Sequence, residues 1–170
     1  QPESSAASDV YKRQIKCFEK NKKIKESLAF NDVSLIRSSS KIAKIKIEVN
    51  NKTRIEEFLG DGCLIATPAG SSAYNLSLRG PVIPVGAKVL ALTPISPYRP
   101  RRWRGALLTN DAKITLYAVD SKLRPVRAEA DFMQFENIDR LEIELEKKLF
   151  VNLLFDPGHC LLYTSPSPRD

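Results

Sequence analysis

The sequence predicts a mainly β, sandwich-like domain with one short helix, α+β overall. Three observations predict it: period-two alternation of apolar and polar residues, many short apolar runs bounded by turn residues, and helical spacing at one place only. Val33 to Ile36 is the first such run, and Ile45, Ile47 and Val49 then alternate with Lys44, Lys46 and Glu48 as a half-buried strand does. Asn50-Asn51 reads as the turn of a hairpin that returns through Arg54-Ile55-Glu56. Short apolar runs follow at Cys63 to Ala66, Val89 to Leu92, Ile114 to Val119, Val126 to Ala130, Leu141 to Leu145 and Leu149 to Phe155. Helical spacing persuades only after Gly70, where Ser71 or Ser72 is placed to cap a brief helix running through Tyr74 towards Leu78. Eight or more strands with a single helix favour a sandwich over a βαβ sheet. Neither an internal repeat nor a long linker is visible.

Composition narrows the class. The 170 residues suit one ordinary domain and are too few for two full-sized catalytic domains. With 42% hydrophobic and 28% charged residues, disordered, collagenous and disulfide-framework classes are excluded. No window approaches the ~18 apolar residues of a membrane span. The balance of 27 Lys+Arg against 20 Asp+Glu leaves +7, which attracts nucleic acid, acidic membrane and nucleotide phosphates alike.

Both ends are expected to be foreign to the domain. Written as GAT GTG TAT AAG AGA CAG, Asp9 to Gln14 has a reverse complement that reads, one frame over, as Cys-Leu-Leu-Tyr-Thr-Ser, which is Cys160 to Ser165. Ser4 to Gln14 and Cys160 to Asp170 resemble translated transposon-type sequencing adaptors. The expected division is therefore a disordered tail over 1–14, the domain over 15–159, and a second disordered tail over 160–170. Cys17 and Cys63 are then its only thiols, with no CxxC, which disfavours a metal site or disulfide framework and makes a reducing cytoplasm the default.

Chemistry concentrates between Gly60 and Ser77. Here an apolar strand feeds a turn of small residues, Thr67-Pro68-Ala69-Gly70-Ser71-Ser72, that opens a helix. Such a turn lets backbone amides and hydroxyls approach a hydroxyl-rich or phosphorylated ligand, and the helix N-terminus adds partial positive charge. Tyr74 can stack on an aromatic ring, and Asp61 can accept from ribose or amide groups. The same residues also suit a tight strand-to-helix connection with serine caps and no ligand. No Walker loop or GxGxxG is present.

Asp61 to Ser77, DGCLIATPAGSSAYNLS, resembles the second signature of NAD kinases, a DG pair followed by a TPxGSTAY segment. Ala29-Phe30-Asn31-Asp32-Val33 resembles that family's Asn-Glu element. Leu92 to Trp103 and Phe155-Asp156-Pro157-Gly158-His159 are similar to the corresponding parts of proteobacterial members, so the resemblance covers essentially all of 15–159. It implies an ATP-dependent transfer of a phosphoryl group to the 2'-hydroxyl of the adenosine ribose of NAD, giving NADP with a divalent metal, Mg2+ by preference. It also implies a cytoplasmic homodimer or homotetramer whose subunits complete each other's sites, with no membrane partner. In the family an N-terminal α/β domain carries GGDG, whose Asp is the base, and a β-rich C-terminal domain supplies much of the NAD site. Gly60-Asp61-Gly62 looks like a relic of GGDG, yet it runs straight into TPAGSSAY and matches the downstream binding Asp. No residue of this chain is accordingly expected to be the catalytic base, and the chain alone is expected to be inactive.

The resemblance assigns NAD contacts to Asn31, Asp32, Asp61, Ala69, Ser72, Ala73, Tyr74, Asn75, Leu76, Ser77 and Ser96. Asn31 and Asp32 would hold the dinucleotide by side-chain hydrogen bonds, and Asp61 its nicotinamide end in a neighbouring subunit's site. No protein metal ligand is assigned. Three departures stand out: Asp32 where Glu is usual, Ser72 where Thr is usual, and Phe132 after Asp131 where many members have Gly or His. The last leaves the neighbourhood of Asp131 without a role.

Outside the motif, Arg99, Arg101, Arg102 and Arg104 with Trp103 form the densest basic cluster, on a loop between prolines. It suits phosphate or subunit contact, or a solvated loop with Trp103 tucked into the core. It also supports a second reading, a basic nucleic-acid-binding module with steep salt dependence. Lys20, Lys22, Lys23 and Lys25 read as a solvated loop, and His159 has no carboxylate partner in view.

Overall fold

The computed structural model describes residues 6–155, with side chains from 11 to 152. In chain order the first strands are β1 (Ala6–Glu19), β2 (Lys22–Ala29), β3 (Asp32–Arg37), β4 (Ala43–Val49), β5 (Lys52–Gly60) and β6 (Gly62–Ala66). The helix α1 (Tyr74–Ser77) follows. Then come β7 (Val89–Ile95), β8 (Ala106–Thr109), β9 (Ile114–Ala118), β10 (Val126–Ala130), β11 (Met133–Glu136) and β12 (Arg140–Phe155). They form two six-stranded sheets, ordered β2-β1-β12-β9-β4-β5 and β11-β10-β3-β6-β7-β8. Every pairing is antiparallel.

Alternation explains the layers. Along β4 the inward residues Ala43, Ile45, Ile47 and Val49 are buried while the lysines and Glu48 between them are not. Ile15, Cys17, Ile114, Leu116, Leu141 and Ile143 join them from the first sheet. Val33, Leu35, Cys63, Ile65, Leu90, Leu92, Val126 and Ala128 face them from the second. One core therefore fills the space between the sheets. The hairpin at Asn50-Asn51 forms as expected: Val49 pairs with Lys52, and both asparagines have positive φ, which asparagine tolerates better than most residues.

Four strands escaped the sequence pattern. In β2 the lysines at 22, 23 and 25 lie on an edge strand, and only Lys20-Asn21, both at positive φ, forms the turn expected of that run. Exposed lysines on an edge hinder pairing with another chain, so the charges that hid the strand are what an edge needs. β8 and β11 are four residues long and mostly exposed. β1 corrects the expectation of an unpacked tail over 1–14, because it begins at Ala6 and pairs with β12 as far as Phe155. Arg13 is 1% exposed, and its guanidinium donates to the Asn110 carbonyl and side chain. Burial lowers its pKa to about 10. Tyr11 meets Phe150 at 5.7 Å. The physical reason is that Arg13, Ile15 and Cys17 share the inward face of one strand, a face that continues past the expected boundary. The second expected tail and His159 lie outside the described residues.

No described helix is long and apolar enough to cross a membrane. Leu116→Ala, which empties a fully buried site between the sheets, should cost about 2–5 kcal/mol. Leu107→Ala, at an exposed site, should stay within about 0.5 kcal/mol. Urea unfolding of both variants checks the pair.

Candidate functional site

The outer faces of the two sheets differ. That of the β1 sheet carries Lys16–Glu144, Lys113–Glu144, Arg140–Glu142 and Lys46–Glu48 pairs, a solvated ladder worth little individually. That of the β3 sheet is built over. On β6 every residue is buried, because Cys63 and Ile65 face the main core while Leu64 and Ala66 face a second cluster. Ile83, Ala91 and Ile95 complete that cluster, with Leu78, Ala87 and Val89 packed on it. The segment from Thr67 to Ile83 is thus a lid of chain seated on the sheet.

Polar contacts fix this segment internally. The Thr67 amide donates to the Asn31 carbonyl at 2.9 Å, and the Thr67 hydroxyl lies 2.7 Å from the Phe30 carbonyl and 3.0 Å from that of Asn31. That hydroxyl oxygen also accepts from the Gly70 amide at 3.2 Å. A Cβ at Gly70 would stand 2.1 Å from the Asn31 carbonyl oxygen, so only glycine lets the two backbones meet. Ser71 is buried, accepts from the Ile83 amide at 2.9 Å and donates to the Pro68 carbonyl at 2.8 Å. It is therefore no helix cap. The residue preceding α1 is Ala73, no side chain caps it, and one turn of four residues supplies no appreciable dipole. The expected serine cap and dipolar N-terminus are both corrected.

Asn75 is fully buried. Its amide donates to the Ser71 carbonyl at 3.2 Å and the Pro81 carbonyl at 2.9 Å, while its oxygen accepts from the Thr93 hydroxyl at 2.6 Å. Its polar atoms are occupied inside the fold. Ser72, Ala73, Tyr74, Leu76 and Ser77 point outward, Tyr74 being 42% exposed.

Beside this lid runs a strip that is partly exposed at its two ends and closed at its middle, where Ser34 is 2% exposed. Asp32, Ser34 and Ile36 alternate on the outer face of β3, opposite Glu129 and Arg127 of β10. Asp32 pairs with Ala66 and Ile36 with Gly62, so Asn31-Asp32 and Asp61 mark the two ends of a strip ~13 Å long at 3.3 Å per residue. Ser96 follows Ile95, whose carbonyl accepts from the Asp61 amide at 2.9 Å, so it belongs to the Asp61 end. Ala69 lies in the turn docked at the Asn31 end. Tyr74 sits within electrostatic reach of both. Partial burial first, then the carboxylates of Glu129, Asp61 and Asp32, raise its hydroxyl above the ordinary value, against the pull of Arg127.

The carboxylates around the strip are differently engaged. Asp61 accepts from Arg37 Nε at 2.6 Å and Glu129 from Arg127 Nε at 2.7 Å. Asp131 accepts from three backbone amides. Asp32 has no side-chain hydrogen bond among the described residues, and burial, then Asp131 and Glu129, raise it to about 6. The motif reading missed Arg37, Thr67, Ser71, Arg127, Glu129 and Asp131. Of these, only Thr67 and Ser71 lay inside the motif, each with a hydroxyl to signal it.

Elsewhere, Arg99, Arg101, Arg102 and Arg104 are exposed. Arg101 lies 5.4 Å from the Tyr98 ring, and Trp103 packs edge-on against Phe58 at 5.7 Å. Cys17 and Cys63 are buried, unpaired and pushed up in pKa, Cys17 to about 11, so they serve as apolar wall. No group of three or more His, Cys, Asp or Glu among the described residues could hold a metal ion.

Residues 30–129 match the family model described as ATP-NAD kinase C-terminal domain. A NAD kinase of Hyphomonas neptunium is 47% identical over 138 residues, 81% of this chain and 54% of that protein. One of Xylella fastidiosa strain Temecula1 is 51% identical over 136 residues, 80% of this chain and 52% of that protein. The chain spans about half the length of these curated relatives. Among solved structures, yeast NADH kinase complexed with NADH aligns at TM-score 0.79 and 22% identity, over 89% of this chain and 45% of its own. An Archaeoglobus fulgidus NAD kinase in complex with ATP aligns at 0.70 and 20%, over 88% and 56%. At those identities the two structures show the fold alone. The nucleic-acid-binding alternative receives no support from these relatives.

Asn75→Ala should cost about 3 kcal/mol, because it strands the Thr93 hydroxyl and the buried Ser71 carbonyl and gives up the bond to the Pro81 carbonyl. Asp32 gives a pH test. A carboxyl raised from 3.8 to about 6 by folding binds more protons folded than unfolded. Its contribution is most favourable below pH 4 and is lost as pH rises through 6. Asp32→Asn should therefore stabilise by about 1–2 kcal/mol at pH 7, allowing for partial exposure, and by little at pH 4. Thermal melts at both pH values measure it.

Proposed function

This chain belongs to the ATP-NAD kinase family, and from that membership we propose that it forms the dinucleotide-binding part of an enzyme that phosphorylates NAD. The reaction is transfer of the ATP γ-phosphoryl group to the 2'-hydroxyl of the adenosine ribose, giving NADP. One observation carries the reading. The family match includes every motif residue from Asn31 to Ser96, and these residues flank a single polar strip on one outer sheet face. A strip with a free carboxyl at one end, a cation-held carboxylate at the other and an exposed tyrosine between them suits an elongated ligand with hydroxyls and aromatic rings.

In this reading Asn31 and Asp32 accept from or donate to the dinucleotide at one end, and Asp61, oriented by Arg37, contacts the nicotinamide end. Tyr74 stacks on a ring, which is sequence-tolerant and needs only an exposed aromatic face. Ser72, Ala73, Leu76, Ser77, Ala69 and Ser96 line the strip. Asn75 acts beneath it as support. The chain's task is to bind and orient the acceptor hydroxyl, since phosphoryl transfer depends chiefly on positioning and electrostatics.

We place the proton-accepting base outside residues 15–159, which have no GGDG match. A divalent metal would neutralise developing phosphate charge. Its fit to this chain is poor, because Asp131, Glu129 and Asp61 are already engaged and no metal-holding cluster exists among the described residues. We therefore place its ligands elsewhere too. A homodimer or homotetramer, with Asp61 reaching a neighbour's site, and cytoplasmic residence with free thiols complete the proposal.

Calorimetric titration of the 170-residue chain with NAD should show binding that weakens about tenfold in Tyr74→Ala or Asp61→Ala, each losing about 1.4 kcal/mol. Incubation with ATP, Mg2+ and NAD should yield no NADP. No binding of NAD, or turnover by the chain alone, contradicts the proposal.

A further inference from the structure

Asp131 received no role from the motif, yet the candidate site is hung from it. It occupies the two-residue turn between β10 and β11, where Ala130 pairs with Met133, at a φ of +51°. Its carboxylate accepts from the backbone amides of Phe30 at 2.7 Å, Asn31 at 2.8 Å and Asp32 at 3.2 Å. Its own amide donates to the Asp32 carbonyl at 3.1 Å. The same short crossing from β2 to β3 meets Thr67 through the carbonyls of Phe30 and Asn31. One residue thus takes the donors of the crossing and another takes its acceptors. The backbone is held from both sides, and the side chains of Asn31 and Asp32 are left for other work.

We propose that Asp131 is a positioning residue that fixes the Asn31–Asp32 pair by capping three consecutive backbone amides with its carboxylate. Three convergent amides are matched by the two oxygens of a carboxylate and by no shorter or amide side chain. The consequence for ligand binding rests on the dinucleotide reading above. Asp131 also sets the charge that Asp32 meets. The charged and titratable groups facing Asp32 are Glu129 from β10, Asp131 from the turn that follows it and Tyr74 from α1, whereas its β6 partner, Ala66, is uncharged.

The test uses the 170-residue chain and three variants. Asp131→Ala removes the acceptors, Asp131→Asn keeps one oxygen without charge, and Asp131→Glu keeps the charge one methylene further out. Amide hydrogen exchange at Phe30, Asn31 and Asp32 should speed at least tenfold in Asp131→Ala, with Leu116 unchanged. Asp32, followed by carboxyl-carbon NMR, should titrate at lower pH in both Ala and Asn variants, and Asp131→Glu should restore part of that shift. NAD affinity by calorimetry should fall about tenfold in Asp131→Ala and less in Asp131→Asn. Unchanged protection at the three amides overturns the proposal, as does unchanged affinity in a folded Asp131→Ala chain whose parent binds NAD. A parent that binds no NAD, with exchange and titration as expected, refutes the dinucleotide reading and upholds the cap. Should Asp131→Ala fail to fold, the Asn variant's exchange and titration decide.

Discussion

The carbonyl of Asn31 is where the two halves of the site are joined. It accepts from the Thr67 amide and lies within reach of the Thr67 hydroxyl, and it stands so close to Gly70 that no side chain fits there. A contact between two backbones fixes relative position more tightly than one between flexible side chains, because no rotamer change can relax it. Everything outward of the contact follows from it. The turn seats on β3, the lid covers Leu64 and Ala66, and Tyr74 is presented above the strip that begins at Asp32.

The sandwich makes this arrangement affordable in stability. The core between the sheets is continuous and apolar, so the second face of β6 can bury a further cluster under Ile83 and Ile95 without depending on any ligand. Buried polar groups in the lid are paired rather than stranded: Ser71 with Pro68 and Ile83, Asn75 with Ser71, Pro81 and Thr93. Networks of this kind rigidify when every member is satisfied. A rigid lid keeps Ser72, Ser77 and Tyr74 in register with the strip before anything binds, which lowers the ordering cost of recognition.

Much of this was legible in the sequence because strict alternation leaves one physical solution. Ile45, Ile47 and Val49 could only face a core, and Asn50-Asn51 could only turn. The TPAGSSAY segment likewise announced a tight turn of small residues between strand and helix, although not its contact with the Asn31 carbonyl. What stayed hidden depends on partners distant in sequence. Asn75 reads as a surface amide until Thr93 and Pro81 enclose it. Asp131 reads as a hairpin residue until the amides of residues 30–32, about a hundred positions earlier, arrive at its carboxylate. β1 was hidden for another reason: residues up to 14 read as a tail foreign to the domain, and the buried Arg13 on its inward face finds its hydrogen-bond partner, Asn110, only far along the chain.

A two-dimensional amide spectrum of the chain, titrated with NAD, tests the central claim most directly. The account predicts shifts confined to the outer face of the β3 sheet: Asn31, Asp32, Asp61, the segment from Ala69 to Ser77, and Ser96. Shifts centred on Arg99 to Arg104 or on the charged ladder of the β1 sheet would contradict it.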